Sequence, residues 1–240
     1  MSEFRPHDVV WTDDKVKRIW DFTASVPAYE ASYFSHVVGD LVLNYVTRSV
    51  QLRGRVLDFG CGPGYMMEKL VKRGVAVEGI DFSEHSVKAA TDRLSGHQLF
   101  RGARHITALP LPESDGTYDV VFLIETIEHI ITEHLESTLT ELARLVRRGG
   151  TLVVTTPNRE DLRANTVMCP ECGCTFHRIQ HVHSWSADSL AQTMQRHGFR
   201  PVRTYETTFR RGDVLNTLYK IGFSLIGRRQ PNLLYIGERA

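Results

Sequence analysis

Three groups of residues in this 240-residue chain have types and spacings suited to chemistry. The first is Val56-Leu57-Asp58-Phe59-Gly60-Cys61-Gly62-Pro63-Gly64, which reads as a strand entering a glycine turn that opens a helix. Glycine lets a backbone approach a ligand closely and adopt torsions closed to other residues. Asp58 ends the strand, where a carboxylate can receive a cationic or hydroxyl-bearing group. Asp81 ends the next strand, in Glu78-Gly79-Ile80-Asp81-Phe82-Ser83, where an acid binds ribose hydroxyls. The spacing is G-x-G-x-G and not the G-x-G-x-x-G that seats a pyrophosphate on a helix N-terminus.

The second group is Glu125-Thr126-Ile127-Glu128-His129, directly after an apolar strand. A helical turn over 125–129 would set both carboxylates and the imidazole on one face, at the strand end where open α/β sheets bind ligands. His129 can serve there as a general base oriented by Glu128, or the pair can simply cap and order a helix.

The third group is Cys169-Pro170-Glu171-Cys172-Gly173-Cys174-Thr175-Phe176-His177, continuing to His181 and His183. Cys-Pro-x-Cys-Gly is the turn of a zinc knuckle. Cys169 and Cys172 with His177 and His181 make a Cys2His2 set; Cys169, Cys172 and Cys174 with His177 make a Cys3His set. A thiol redox pair and a chance cluster are the competing readings. Structural zinc would explain how an irregular insert stays ordered without its own core.

The elements that must position these groups follow from hydrophobic periodicity. Residues 1–50 read as helices, with Trp20, Tyr29, Tyr33 and Phe34 on faces that pack. From residue 54 short apolar runs alternate with helical segments. Strands are expected at Arg55–Phe59, Val75–Ile80, Tyr118–Ile124 and Thr151–Thr155. Helices are expected at Tyr65–Arg73, Ser83–Leu94 and Glu133–Arg147, the last stopped by Gly149-Gly150 with Arg147 and Arg148 at its C-terminus. This βαβ rhythm implies a parallel sheet with helices on both faces. Residues 157–185 break it, as functional or metal-held segments do. A helix at Ser186–His197, a strand at Val202–Phe209, a helix from Asp213 and a strand at Leu233–Glu238 complete the chain. Asn158, at a strand end, is placed either to meet an acceptor or to cap the next segment.

Composition narrows the function. Apolar residues at 42% and charged residues at 24% are those of a globular protein and exclude a disordered chain. Lys plus Arg (29) nearly cancels Asp plus Glu (28), so no net field steers the whole chain to nucleic acid, although Arg210-Arg211 and Arg228-Arg229 are local basic pairs. The N-terminus lacks the pattern of a signal peptide, and the longest apolar stretch, Val214–Ile226, is too short to span a bilayer. A cytoplasmic protein is the expectation, and a cysteine cluster there reads better as a metal site than as disulfides.

The glycine run followed by Gly79-Ile80-Asp81-Phe82-Ser83 resembles the first two motifs of the class I S-adenosylmethionine-dependent methyltransferases, over roughly residues 50–240. The resemblance implies a Rossmann-like α/β fold with a seven-stranded, mostly parallel sheet whose last strand runs antiparallel. It implies that the Gly60–Gly64 turn meets the methionine part of S-adenosylmethionine and Asp81 the ribose. Asp58, Gly60, Cys61, Gly62, Gly64, Asp81, Phe82 and Leu109 are then the cofactor-binding residues, with Cys61 a small buried residue and not a nucleophile. The family's adenine-contacting stretch carries an acid before Leu-Pro; here it reads His105-Ile106-Thr107-Ala108-Leu109-Pro110 and the acid is missing.

The full E-x-x-E-H resembles the ubiquinone-biosynthesis O-methyltransferases and the small-RNA 2′-O-methyltransferases. In the latter these three residues and a distant histidine before an aromatic bind a divalent metal. That resemblance implies Glu125, Glu128, His129 and His181 as a catalytic metal set, with His183 able to substitute for His181. A Cys3His zinc site leaves His181 free for this role. The metal would be Mg²⁺, Mn²⁺, Fe²⁺ or Zn²⁺.

The sequence therefore predicts a helical cover over 1–50, a methyltransferase domain over 51–240 and a zinc-bearing insert at 157–185. The expected activity is O-methylation of a small molecule, lipid-linked intermediate or glycan. An RNA ribose acceptor, a metal-free base at His129 and a non-catalytic zinc scaffold are the competing expectations.

Overall fold

The computed structural model describes residues 4–209 and 230–240. In chain order the elements are β1 (His7–Asp8), α1 (Asp13–Ser25), a 3-10 turn at Pro27–Ser32, α2 (Phe34–Val46), β2 (Val56–Phe59), α3 (Tyr65–Lys72), β3 (Val77–Asp81), α4 (Glu84–Leu94), β4 (Phe100–His105), β5 (Tyr118–Ile124), α5 (Thr132–Leu145), β6 (Val146–Pro157), β7 (Thr166–Met168), β8 (Cys174–His177), α6 (Ala187–Arg196), β9 (Phe199–Thr207) and β10 (Asn232–Arg239). The helix expected from Asp213, the apolar stretch Val214–Ile226 and both arginine pairs lie outside the described residues. No helix among the described residues is long and apolar enough to cross a membrane.

The main sheet has seven strands in the order β4-β3-β2-β5-β6-β10-β9, and β10 runs antiparallel to both its neighbours. This is the expected α/β architecture. Strand alternation supplies two cores. Leu57, Val121, Leu123 and Leu152 face α5 and α6 through Leu139, Leu142 and Leu190. Val56, Val120, Phe122 and Val153 face α2, α3 and α4 through Leu43, Met67, Leu70 and Ala90. The near-continuous apolar runs of β5 and β6 follow from burial on both faces.

Parallel pairing brings the carboxyl ends of several strands to one edge. Phe59 pairs with Ile80 and Ile124 with Thr155, so Asp58, Asp81, Glu125 and Asn158 emerge along the same rim. Gly60 leaves β2 with φ +76°, and a Cβ there would stand 2.7 Å from the Thr126 side chain, so this first turn position needs glycine.

Three local expectations are corrected. Helix α5 stops at Leu145, and Arg147 and Arg148 belong to β6, where Val146 pairs with Tyr118. Gly149-Gly150 is thus no helix stop: a Cβ at Gly150 would lie 3.0 Å from the Asp119 carbonyl, so the strand passes its neighbour too closely for a side chain. Residues 125–129 form no helical turn, because Glu125 takes φ +46° and only a tight turn, closed by His129 N–H to Thr126 O at 3.0 Å, follows. The insert is not irregular throughout. It contains the hairpin β7–β8, and β1 joins it in parallel with His7 opposite Cys174.

Helix α1 buries none of its residues. Its N-cap Thr12 accepts from Lys15 N–H. Side-chain contacts with the rim hold it: Asp21 accepts from Ser83 Oγ at 2.7 Å, and Asp13 meets His134 at 2.7 Å.

Candidate functional site

The glycine turn that leaves β2 is fixed from the end of the neighbouring strand β3. The amides of Gly60 and Cys61 both donate to Ile80 O at 2.9 Å. The Asp81 carboxylate accepts from Gly62 N–H and from Ser83 N–H, each at 2.8 Å. Burial raises the Asp81 carboxyl, and those two amides oppose the rise. Beneath the turn Asp58 is 1% exposed, and neither carboxylate oxygen has a hydrogen-bond partner. Burial first, and then the Asp81 charge, push its pKa up to about 7. A buried carboxylate without a donor is costly, and a cationic ligand group would relieve it.

Cys61 is buried, and burial raises its thiol well above the ordinary value, so it is not a thiolate nucleophile. Phe82 stands half exposed at the rim and Leu109 packs on the core. The Tyr33 hydroxyl is buried and unpaired beside Tyr65, with ring centroids 5.3 Å apart.

The second cluster lies beyond β5. Ligand atoms of Glu128, His129 and His181 all fall within 4.8 Å of one another. Glu125 stands outside that set, although its charge acts on Glu128. Both carboxylate oxygens of Glu128 and Oε1 of Glu125 are buried and unpaired. Burial raises both carboxyls, and mutual repulsion adds to the effect on Glu128. His129 Nδ1–H faces the Gln180 carbonyl at 3.3 Å, which leaves Nε2 4.0 Å from Glu128 Oε1. Burial, then the neighbouring His181, lower the His129 pKa to about 3, so the ring stays neutral at ordinary pH.

Two residues that complete this cluster are absent from the sequence reading. Gln180 is fully buried with φ +60°. Its side chain accepts from Trp20 Nε1 at 3.0 Å and donates to His129 O at 2.8 Å. Trp20, on the N-terminal helices expected to cover the site or simply to pack, lies edge-on to His129 with ring centroids 4.6 Å apart. Glu160 hydrogen-bonds His181 Nδ1, and its other oxygen is 3.4 Å from His177 Nε2. Burial works to raise the Glu160 carboxyl, but the His181 hydrogen bond and the two imidazoles outweigh it and hold the group low. Nothing in the local sequence marks Glu160 or Gln180, since both lie in non-periodic chain.

His177 is not where either cysteine-containing set needs it. It stacks on His181 at 4.6 Å, with Nδ1 accepting from the His181 amide at 3.1 Å. Among the described residues, no group of three or more with ligand atoms within 4.8 Å includes a cysteine. The physical reason is the hairpin: Cys174 and His177 are the two ends of β8, and His177 points into the buried histidine cluster. The knuckle turn itself forms, with Gly173 N–H to Cys169 O at 2.9 Å. Amides of Cys172 and Glu171 lower the Cys169 thiol. His183 is half-buried next to Trp185, with its Nε2 buried and unpaired, outside both histidine groups.

The family profile described as a methyltransferase domain matches residues 30–204. The ubiquinone biosynthesis O-methyltransferase of Rhizobium etli is 36% identical over 105 residues, covering 44% of this chain and 42% of that protein. The protein of the same name from Alkalilimnicola ehrlichii is 33% identical over 156 residues, covering 64% of this chain and 60% of its own. The matched region thus spans roughly two fifths to three fifths of these curated relatives' length. The geranyl diphosphate C-methyltransferase of Streptomyces coelicolor A3(2) superposes with TM-score 0.65 at 15% identity, covering 95% of this chain and 98% of that one. At that identity the likeness is one of fold.

Proposed function

The chain belongs to the class I S-adenosylmethionine-dependent methyltransferases, and from that premise we propose that it methylates a hydroxyl oxygen with the help of a divalent ion held at Glu128, His129 and His181. The observation that carries this reading is the fully buried Glu128 carboxylate, both oxygens unpaired, beside two imidazoles, with the unpaired Oε1 of Glu125 nearby. Such a set is unfavourable by itself and becomes favourable around a cation. The donor set suits Mg²⁺, Mn²⁺, Fe²⁺ or Zn²⁺.

On the cofactor side the residues fit their roles. Asp58, buried without a donor, is matched to the cationic amine of the methionine part. Asp81 keeps lone pairs for ribose hydroxyls while its amide bonds fix its direction. Gly60, Gly62 and Gly64 let the backbone come close, and Cys61, Phe82 and Leu109 border the same turn.

The sulfonium already makes the methyl group reactive, so the protein's task is to expose the acceptor oxygen. The new O–C bond forms as the C–S bond breaks, the electron pair stays on sulfur, and the hydroxyl proton must leave. A bound divalent ion supplies charge stabilisation for the ionising hydroxyl. His129, held neutral with Nε2 free, is a good ligand but a poor proton acceptor near neutrality. Glu125, which stands outside the ligand group and whose carboxyl burial raises to about 7, is better matched to take the proton. This favours metal assistance over His129 acting alone as base. Trp20 ties α1 to the cluster through its edge-on contact with His129 and its hydrogen bond to Gln180.

The acceptor is proposed to be a small-molecule, lipid-linked or glycan hydroxyl. The name shared by the curated relatives and the near-zero net charge both support this over RNA. Cys169, Cys172 and Cys174, whose three thiols do not lie within 4.8 Å of one another, are proposed to draw together around a structural zinc with a fourth ligand other than His177. The amide-lowered Cys169 thiol supports this, and the prediction is one zinc per chain retained after Glu128→Ala with His129→Ala, read by elemental analysis. The catalytic test is Glu125→Ala with Glu128→Ala. S-adenosylhomocysteine formation should fall about 10²-fold or more with cofactor affinity unchanged. Unchanged turnover would remove the carboxylates from the chemistry.

A further inference from the structure

We propose that Glu160 is a positioning residue for this centre: its carboxylate accepts a hydrogen bond from Nδ1–H of His181 and thereby presents the Nε2 lone pair of that ring to Glu128 and His129. The inference rests on the reading of Glu128, His129 and His181 as the acceptor-activating centre.

An imidazole has two nitrogens, and in the neutral ring one donates while the other accepts. An ionised carboxylate only accepts, so the Glu160 Oε2 to His181 Nδ1 hydrogen bond puts the proton on Nδ1. Nε2 is then the nitrogen left for the group formed with Glu128 and His129. His129 is set the same way by a different acceptor, the Gln180 carbonyl on its Nδ1. Both rings therefore offer Nε2, and at 65° between their planes the in-plane lone pairs can converge on one point.

His177 completes the clamp. Its Nδ1 accepts from the His181 amide, so its Nε2 carries the proton and faces Glu160 Oε1 at 3.4 Å. The His181 amide fixes the His177 tautomer, and His177 Nε2 makes no hydrogen bond to Glu160, so the carboxylate sets the His181 ring alone. Glu160 is itself tied down: Ser184 Oγ donates to its carbonyl at 2.7 Å, and Asn165 Nδ2 reaches Oε1 at 3.4 Å. Glu160, His177 and His181 also lie within 4.8 Å as a possible ligand group of their own. The geometry argues against that use. The His177 and His181 rings stack at 17°, so their lone pairs run along near-parallel lines and do not meet at an ion. A carboxylate–histidine pair behind a metal ligand orients the ring and raises its basicity.

The test uses the full chain labelled with ¹⁵N-histidine, freed of metal, in mildly alkaline buffer, with His181 assigned through a His181→Gln variant. Long-range ¹H–¹⁵N correlation reads which nitrogen carries the proton. Wild type should show His181 protonated at Nδ1. Glu160→Ala should shift it to a mixture or to the Nε2–H form, while Glu160→Gln, which keeps an acceptor oxygen, should hold Nδ1–H. An Nε2–H wild type, or an unchanged tautomer in Glu160→Ala, overturns the proposal.

A Co²⁺ titration is the second arm. Affinity should drop about 10- to 100-fold in Glu160→Ala and less in Glu160→Gln, with S-adenosylhomocysteine affinity unchanged in both. Equal Co²⁺ affinity in all three proteins also overturns it. A wild-type protein that takes up no Co²⁺ would instead sink the metal reading, and the tautomer measurement would still decide Glu160.

Discussion

Asp58 carries a cost in the ligand-free protein that binding can remove. Its folded pKa, raised to about 7, lies above its unfolded value, so the folded state holds the proton more tightly between the two. Stability of the cofactor-free protein should therefore fall as pH rises through that window. A cationic partner reverses the balance, because it favours the ionised carboxylate. S-adenosylhomocysteine affinity should rise as pH climbs towards about 7, with proton release on binding, and Asp58→Asn should flatten the profile. Calorimetry in buffers of different ionisation enthalpy reads both effects, and a flat wild-type profile would separate Asp58 from the cofactor amine. At this scale the glycine turn, Asp58, Asp81, Glu128 and His129 were legible because each sits at a fixed offset from a strand end. Glu160 and Gln180 were not, because their positions follow from how a non-periodic insert folds back over β5, which spacing does not encode. His177 was misassigned for the same reason: three residues after Cys174 and five after Cys172, it reads as a co-ligand of those cysteines, yet β8 carries it inward to His181.

Elements were legible where burial imposed a period and illegible where it did not. Strands β2 and β5 are mainly apolar and buried on both faces, β3 keeps Val77, Gly79 and Ile80 buried, and the ends of all three fall within two residues of expectation. Strand β4, Phe100–His105, was missed, since Phe-Arg-Gly-Ala-Arg-His has no apolar run and an edge strand needs none. The end of α5 was misplaced because Gly149-Gly150 imitates a helix stop while serving a close strand crossing. Helix α1 was expected as a cover, and its lack of buried residues gives that role a physical meaning. It is held by side-chain contacts at Trp20, Asp21 and Asp13 and not by a core. Trp20→Ala should raise amide exchange across α1 and leave α5 and β5 protected, as read by hydrogen–deuterium exchange. Unchanged exchange in α1 would mean that the helix is held by something other than the Gln180 and His129 contacts.

For the whole molecule, a mostly parallel sheet gathers two clusters on one rim: a glycine turn with two acids, proposed here for the methyl donor, and an acid–imidazole cluster, proposed here for the acceptor. The fold was legible because the βαβ rhythm and the two motifs agree. The acceptor was not, because a near-neutral surface excludes a field without naming a ligand. The central claim is that the acid–imidazole cluster works through a divalent ion. It is tested most directly by S-adenosylhomocysteine formation on a panel of hydroxylated acceptors, with the protein as purified, after EDTA and after return of Mg²⁺, Mn²⁺, Fe²⁺ or Zn²⁺. The account predicts turnover that EDTA abolishes and at least one of these ions restores. Full turnover by the EDTA-treated protein would contradict it.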